Sequence, residues 1–268
     1  MTADSRRLQP FKVLTIGGSD SGGAAGIQAD LKTFTALGVY GMSAISVVTA
    51  QNSLAVHRAD FLSPDGLEAQ IRAVLDDYGV DAVKSGFIGR VDLIEAAATA
   101  LANLQVPLVV DPVLVNHRGQ PMFGPEVSAA YRRHLFPLAT VITPNWREGL
   151  LLAKEAGEDE AAIRTAARKL TYSHPFPLLF TGYPQGDEIV DFFVSEQGIM
   201  PLVGPRIATN NTHGSGDTLS AAIAVFLARG TALPDAITQA RAFTARAIAA
   251  GAAWQLGGGH GPLAQWLA

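Results

Sequence analysis

Asn211-Thr212-His213-Gly214-Ser215-Gly216-Asp217-Thr218-Leu219-Ser220 is the stretch of this chain that says most about its fold. Gly214 and Gly216 allow the backbone to turn with its N–H groups directed inward, and the alanine-rich run 219–230 predicts a helix that ends at a glycine. Free N–H groups and the positive end of the helix dipole favour a phosphate beside the Asp217 carboxylate. The alternative for Asp217 is a purely structural helix cap.

Length and composition predict one domain. The chain has 268 residues, of which 48% are hydrophobic and 16% charged, so it is long enough to bury a large core. No polar linker, low-complexity tract or repeat divides it. We predict a flexible N-terminal segment over residues 1–10 and a single domain over residues 11–268.

Charge and cysteine content exclude several classes of function. A net charge of −4 argues against a broad nucleic-acid surface, and the absence of cysteine excludes disulfides and thiolate metal sites. No run approaches 18 apolar residues, and no apolar signal segment follows the polar N-terminus. The sequence therefore predicts a cytoplasmic protein with small-molecule partners and without nucleic-acid or membrane partners.

Short apolar runs alternate with segments of helical periodicity along the chain. The predicted strands are 13–16, 42–49, 82–85, 108–110, 141–142 and 178–180, and the predicted helices are 27–37, 67–78, 93–104, 127–135 and 163–172. This alternation predicts an α/β fold whose central, mostly parallel sheet has helices on both faces. Segments 189–194 and 199–203 predict a small antiparallel hairpin at one edge.

The glycine-rich segment 17–26 follows the first predicted strand, and ligands of open α/β sheets bind at such strand ends. Ala24 stands where a phosphate-binding P-loop needs lysine, and no dinucleotide-binding glycine pattern fits. The segment is therefore expected to close over another kind of ligand. Asp30, about one helical turn past Gly26, either points back to this segment or is a solvated helix residue.

Two further strand ends carry polar side chains with alternative interpretations. Gln51 and Asn52 either present amide donors and acceptors to a heteroaromatic ring or form a turn. Lys84, at the end of an apolar strand, either pairs with a carboxylate or phosphate or extends its ammonium group to solvent.

Asp111, Asn145 and Glu148 lie after two later strands. Together they could coordinate a hydrated Mg²⁺ that bridges phosphates, because Mg²⁺ binds few carboxylates and keeps several waters. Asn145 with Glu148 three residues later is alternatively a helix cap of the capping-box type.

These motifs occur in the order and spacing of one family. The chain resembles the ribokinase-like small-molecule kinases, and within them the hydroxymethylpyrimidine and phosphomethylpyrimidine kinases of thiamine biosynthesis, over nearly its whole length from Val13 to Pro262. The motifs that carry the resemblance are residues 16–20, 26–34, 49–52, 84–89, 110–113, 143–145 with Glu148, and 212–218.

The resemblance implies a three-layer ribokinase-like fold and ATP-dependent phosphorylation of the hydroxymethylpyrimidine and then of its monophosphate. It implies ATP and Mg²⁺ as cofactors and a homodimer, and it leaves open whether a monovalent cation takes part. A pyridoxal kinase of the same fold is the alternative enzyme, although Gln51-Asn52 favours the pyrimidine. A binding protein without catalytic turnover is the alternative of another class.

The resemblance also assigns roles to individual residues. The catalytic group is Asp217 as the base, with Gly214, Ser215 and Gly216 forming an anion hole. The substrate-binding group is Gly18, Asp30, Gln51, Lys84 and Phe87. The group for ATP and Mg²⁺ is Asp111, Asn145, Glu148, Thr181 and Gly182, with Asp111 and Glu148 reaching the metal through water.

The chain departs from the family pattern at two places. Many pyrimidine kinases of the family carry cysteine where this chain has Asp217, so the proton acceptor here is expected to be a carboxylate. Phe180-Thr181-Gly182-Tyr183 stands where the family usually has a lysine, two glycines and a histidine. Loss of that lysine removes a positive charge near the nucleotide phosphates, which is expected to affect ATP affinity or the second phosphorylation.

Overall fold

The computed structural model describes residues 9–116, 118–173 and 176–268. The predicted flexible segment over residues 1–10 lies outside the described residues except for its last two positions. None of the helices in the described parts of the chain combines the length and the hydropathy needed to cross a bilayer.

Nine strands and eight α-helices alternate along the described parts of the chain. The strands are β1 Lys12–Asp20, β2 Tyr40–Gln51, β3 Val56–Phe61, β4 Ala82–Ser85, β5 Leu108–Val110, β6 Val141–Ile142, β7 Leu178–Gln185, β8 Glu188–Ser195 and β9 Gly198–Pro205. The helices are α1 Gly26–Ala36, α2 Pro64–Asp77, α3 Val91–Leu101, α4 Pro125–Ala130, α5 Trp146–Ala153, α6 Glu160–Ser173, α7 Ser215–Ala228 and α8 Leu233–Gly251. A π-helical turn, Tyr131–Leu135, continues α4.

The strands form one sheet in the order β3-β2-β1-β4-β5-β6-β7-β8-β9. The six strands from β2 to β7 in this order pair in parallel, while β3, β8 and β9 are antiparallel to their neighbours. The predicted mostly parallel sheet and the predicted edge hairpin, which is β8 and β9, are confirmed. The edge strand β3 was not predicted.

Two hydrophobic clusters cover the two faces of the sheet, as expected for a three-layer fold. One face packs against α2 to α6, and the other packs against α1, α7 and α8. Helix α7 is buried on all sides from Thr218 to Leu227. Its many alanines allow this helix to approach both the sheet and its neighbouring helices, which fixes the position of its first turn.

The first strand runs further than the sequence predicted. Gly17 and Gly18 belong to β1, with a register shift between them, and the strand continues to Asp20. The shift has the character of a β-bulge, a feature for which glycine is often required. The expectation that Gly17 begins a loop is therefore wrong, and the turn begins four residues later.

Candidate active site

The pleat of the sheet places several polar side chains on one face. Val13, Ala82, Val109 and Val141 pack against α7 and α8. Because side chains two residues apart in a strand share a face, the next positions on that face are Thr15, Lys84, Asp111 and Thr143. Each of these four residues is buried. The carboxyl ends of β4, β5 and β6 thus direct polar groups toward the start of α7.

The first turn of α7 is held against the turn that follows β1. Gly214 caps the helix with a φ of 86°, and a Cβ atom there would lie 2.0 Å from the carbonyl oxygen of Ala24. The Gly26 N–H donates to Oδ2 of Asp217 at 3.1 Å. Only glycine at position 214 is compatible with both the backbone conformation and this close approach.

The backbone N–H groups of this first turn differ in whether they have an acceptor. The Ser215 N–H donates to the carbonyl of Thr212 at 3.1 Å and is therefore engaged in the turn. The N–H groups of Gly216 and Asp217 lie in the first helical turn, where no intrahelical acceptor exists, and they have no acceptor among the described residues. An anion at this helix end would meet these two amides.

A buried ion-pair network lies behind Asp217. The Lys84 ammonium is 3.0 Å from Oδ1 of Asp217 and within 3.0 Å of both carboxylate oxygens of Asp30. Thr15 donates its hydroxyl to Oδ2 of Asp30 at 2.6 Å. Lys84 and Asp30 are fully buried, whereas the Asp217 side chain is 15% exposed. In the structure, Lys84 therefore pairs with carboxylates and does not extend its ammonium group to solvent.

The charges of this network oppose the cost of burial. Burial alone would lower the pKa of Lys84, but the attraction of Asp30, Asp217 and Asp111 raises it. Burial raises the pKa of Asp30 to about 7, and the attraction of Lys84 opposes this rise. The ammonium therefore stays charged, and its positive charge is shared between two carboxylates.

Asp111 lies between the sheet and the start of α7. Its Oδ2 accepts a hydrogen bond from the Ser220 hydroxyl at 3.2 Å. Burial raises the pKa of Asp111 to about 8, opposed by Lys84 and reinforced by repulsion from Glu148 and Asp217. Burial of Asp111 therefore favours its neutral, protonated form in the ligand-free protein.

Asn145 and Glu148 form the capping box at the start of α5. The Glu148 N–H donates to Oδ1 of Asn145, and the Asn145 N–H donates to Oε2 of Glu148, each at 3.0 Å. Oε1 of Glu148 accepts from the N–H groups of Leu114 and Val115 at 2.8 and 3.3 Å. Burial raises the pKa of Glu148 to about 7, opposed by these backbone bonds. Asn145 and Glu148 therefore cap the helix in the structure, and the Glu148 side chain is buried and close to other carboxylates.

The donor set of Asp111 and Glu148 fits a hydrated divalent cation. Both carboxylates are buried and repel each other, so a cation would lower the energy of the pair. The backbone bonds to Glu148 occupy both of its oxygens, which suits contact through water rather than direct coordination. Within the described residues no group of three or more His, Cys, Asp or Glu side chains is arranged to hold a metal.

Asp20 organises the turn after β1, a role that the sequence-based site prediction missed. Its Oδ1 accepts from the Gly22 N–H at 2.8 Å, and its Oδ2 accepts from the N–H groups of Ala24 and Ala25 at 2.9 Å each. The signal was present in the sequence, because Asp followed by glycines is typical of a side chain that caps its own turn.

The predicted ring-binding residues border this turn. Gln51 contacts the His213 ring, with 3.0 Å between Nε2 atoms. A Cβ atom at Gly18 would lie 2.9 Å from Cδ1 of Phe87, so glycine there allows the Phe87 ring to lie against β1. Asn52 accepts hydrogen bonds from the N–H groups of Leu54 and Ala55. It therefore acts as a turn residue, which is the second of its two predicted roles.

Thr181 and Gly182 lie beside α5 at the end of the parallel part of the sheet. Thr181 forms a β-bridge with Asn145, and the Gly182 N–H donates to Oδ1 of Asp191 at 2.6 Å. Phe180 points to the opposite face, where it packs against Gly149 so closely that a Cβ atom there would lie 1.7 Å from its ring. Phe180 stands where the family usually has lysine and its side chain is turned away from the site, so Thr181, at the position of the first family glycine, is the residue that faces the site.

The chain is similar over most of its length to known small-molecule kinases. Residues 20–264 match the family described as phosphomethylpyrimidine kinase. A hydroxymethylpyrimidine/phosphomethylpyrimidine kinase of Streptomyces coelicolor is 42% identical over 264 residues, which cover 98% of this chain and 97% of that protein.

Two solved structures show the same fold. A phosphomethylpyrimidine kinase of Clostridium difficile 630 has a TM-score of 0.77 at 33% identity and covers 89% of this chain and 99% of its own. A pyridoxal kinase of Bacillus subtilis, solved as an ADP complex, has a TM-score of 0.82 at 37% identity and covers 90% of this chain and 92% of its own. The family resemblance and the three-layer ribokinase-like fold predicted from the sequence are confirmed, and the chain belongs to the phosphomethylpyrimidine kinase family.

Proposed function

We propose that this protein transfers the γ-phosphoryl group of ATP to the hydroxymethyl oxygen of 4-amino-5-hydroxymethyl-2-methylpyrimidine, and then phosphorylates the resulting monophosphate. The reaction belongs to thiamine diphosphate biosynthesis or salvage. One observation carries the proposal: the first turn of α7 places the Asp217 carboxylate beside the amides of Gly216 and Asp217, which have no acceptor among the described residues.

Asp217 is the general base in this reaction. Its two oxygens accept from Lys84 and Gly26, and each keeps a further lone pair that can accept the proton of the substrate hydroxyl. Lys84 and the Gly26 amide fix the rotation of the carboxylate. A base of low proton affinity suffices, because phosphoryl transfer depends mainly on alignment and on stabilisation of charge.

The amides of α7 stabilise the transferred group. Negative charge on the transferred phosphoryl oxygens meets the N–H groups of Gly216 and Asp217 and the positive end of the α7 dipole. Gly214 matters because it lets these amides approach the turn after β1. The predicted roles of Gly18, Gln51 and Phe87 are to hold the pyrimidine ring at the other side of this turn.

ATP lies along Asn145, Glu148, Thr181 and Gly182. The use of an adenine nucleotide is supported by the related pyridoxal kinase, which was solved as an ADP complex. Asp111 and Glu148 would hold Mg²⁺ through water. When bound, the metal would neutralise phosphate charge. A homodimer and a cytoplasmic location remain predictions.

Pyridoxal is the second candidate substrate, because a pyridoxal kinase shares 37% identity with this chain. The decisive experiment measures ADP release from ATP and Mg²⁺ with the hydroxymethylpyrimidine, with its monophosphate and with pyridoxal. We expect the highest kcat/KM with the hydroxymethylpyrimidine. Faster turnover of pyridoxal would assign the protein to the alternative, and no ADP release with any substrate would indicate a binding protein.

A further inference from the structure

The ammonium group of Lys84 connects the interior of the sheet to Asp217. Its Nζ lies 3.0 and 2.9 Å from the two oxygens of Asp30 and 3.0 Å from Oδ1 of Asp217. An ammonium has three N–H donors, so these contacts match its full capacity. Because Lys84 and Asp30 are fully buried, a ligand that enters the site meets Asp217 and not the pair behind it.

Asp30 is held in a fixed orientation on the side away from Asp217. The Thr15 hydroxyl donates to its Oδ2 at 2.6 Å, and Thr15 belongs to β1 near the middle of the sheet. Hydrogen bonds therefore run without interruption from Thr15 through Asp30 and Lys84 to the first turn of α7. Buried networks whose members are all paired restrict side-chain rotation.

The sharing of one ammonium by two carboxylates has a structural consequence. Two contacts of the Lys84 ammonium go to Asp30 and the third goes to Oδ1 of Asp217. Without the Asp30 carboxylate the ammonium would lose its fixed orientation, and Asp217 would lose the fixed donor that sets the rotation of its carboxylate.

We infer that Asp30 is a positioning residue that does not touch the substrate but sets, through Lys84, the orientation of the catalytic Asp217. This assignment rests on the proposed function, since it concerns the same reaction. It differs from the sequence-based expectation in which Asp30 and Lys84 contact the pyrimidine.

The test separates kcat from KM. Asp30→Asn keeps the size of the side chain and removes its charge, so we expect kcat to fall about 30- to 100-fold while KM for the pyrimidine changes less than threefold. Thr33→Val is the matched control, because Thr33 is equally buried on α1 and donates only within the helix, to the Ala29 carbonyl. We expect its kcat to stay within about twofold of the parent protein. A rise of about tenfold or more in KM for Asp30→Asn with little change in kcat would overturn the inference, because it would indicate direct substrate contact.

A double-mutant cycle tests whether the effect passes through Asp217. In an Asp217→Asn background, adding Asp30→Asn is expected to change the residual kcat by less than about twofold, since the carboxylate that Asp30 positions is already absent. A second loss of the same size would show an independent role for Asp30 and would overturn the inference.

A milder variant covers the case in which Asp30→Asn does not fold. Thr15→Val removes only the hydroxyl that orients Asp30, and we expect a fall in kcat of about three- to tenfold with KM for both substrates within about twofold. An unchanged kcat in Thr15→Val would overturn the inference. Failure of the proposed function is a separate result, because the parent protein would then release no ADP with the pyrimidine.

Discussion

The replacement of Gly214 by alanine is the most direct test of the site at the start of α7. Gly214 has a φ of 86°, and the Cβ atom of an alanine would lie 2.0 Å from the Ala24 carbonyl oxygen and 3.0 Å from its carbonyl carbon. Both neighbours are backbone atoms, so no side-chain rotation can relieve the contact. The turn after β1 and the start of α7 would have to separate.

The size of the effect follows from two contributions. A left-handed backbone costs a non-glycine residue about 1–2 kcal/mol, and relief of the contact needs a backbone shift of roughly 1 Å, which adds about 1–3 kcal/mol as overpacking does elsewhere. The shift acts on the 3.1 Å bond from the Gly26 N–H to Asp217. A displacement of about 1 Å at a reacting group can cost about 100-fold in rate, so we expect kcat to fall by about that factor.

Gly230→Ala is the matched control for this substitution. Gly230 follows the other end of α7 with a φ of 78°, and a Cβ atom there would have no neighbour within 4 Å. It therefore carries the backbone cost without the steric contact. We expect Gly230→Ala to lose about 1–2 kcal/mol of unfolding free energy and to keep its kcat.

The assay combines urea unfolding with coupled measurement of ADP release. Gly214→Ala should be less stable than Gly230→Ala by about 1–3 kcal/mol and should lose about 100-fold in kcat. Equal stability of the two variants, or a Gly214→Ala protein with near-normal kcat, would refute the argument that this close approach builds the site.

Three further predictions concern the carboxylates and the missing lysine. Asp217→Asn should lower kcat by at least about 1000-fold while the pyrimidine still binds in calorimetry; near-normal turnover would remove Asp217 from the role of base. Asp111 has its pKa raised from 3.8 to about 8, so between these values the folded protein retains a proton that the unfolded chain has lost, and stability falls as pH rises. Asp111→Asn should reduce the loss of unfolding free energy between about pH 5 and 7 by on the order of 1–3 kcal/mol, measured by urea unfolding with EDTA. An unchanged pH dependence of stability would contradict the raised pKa. Thr181→Lys places a positive charge next to the position of the missing lysine, on the side that faces the site, and should lower KM for ATP about three- to tenfold; an equal or higher KM would show that a positive charge there does not assist ATP binding.

The parallel core of the fold was predictable because its strands are short, buried and apolar. Runs such as 82–85 and 108–110 needed no correction, since strands covered on both faces read as continuous hydrophobic segments. β3 was missed because its residues from Val56 to Asp60 are exposed, so no pattern of burial marks it as a strand. The sequence predicts a loop at the glycines of β1 because glycine is common both in β-bulges and in turns.

The site was only partly predictable, for a different reason. Residue types at strand ends identified Lys84, Asp111 and Asp217 as candidates, because ligands of such sheets bind there. Their pairing was not predictable, since Lys84 lies 54 residues from Asp30 and 133 residues from Asp217 in sequence. Only the packing of α1 and α7 against the same face of the sheet brings these groups together, and so decides that Asp30 is paired rather than solvated.

The charge balance of the site connects its two departures from the family pattern. Among the described residues Lys84 is the one buried lysine, and its ammonium pairs with Asp30 and Asp217. The buried carboxyl groups of Asp111 and Glu148 have raised pKa values. Buried carboxyl groups with raised pKa values are typical of functional sites, and a bound cation would stabilise their ionised forms. A carboxylate at position 217 in place of a thiol adds negative charge, and Phe180 in place of a lysine removes positive charge. The negative charge of the phosphates must therefore be neutralised mainly by the α7 amides and the bound cation. Turnover then depends on the close approach of Gly214 to the turn after β1, because this approach positions the amides.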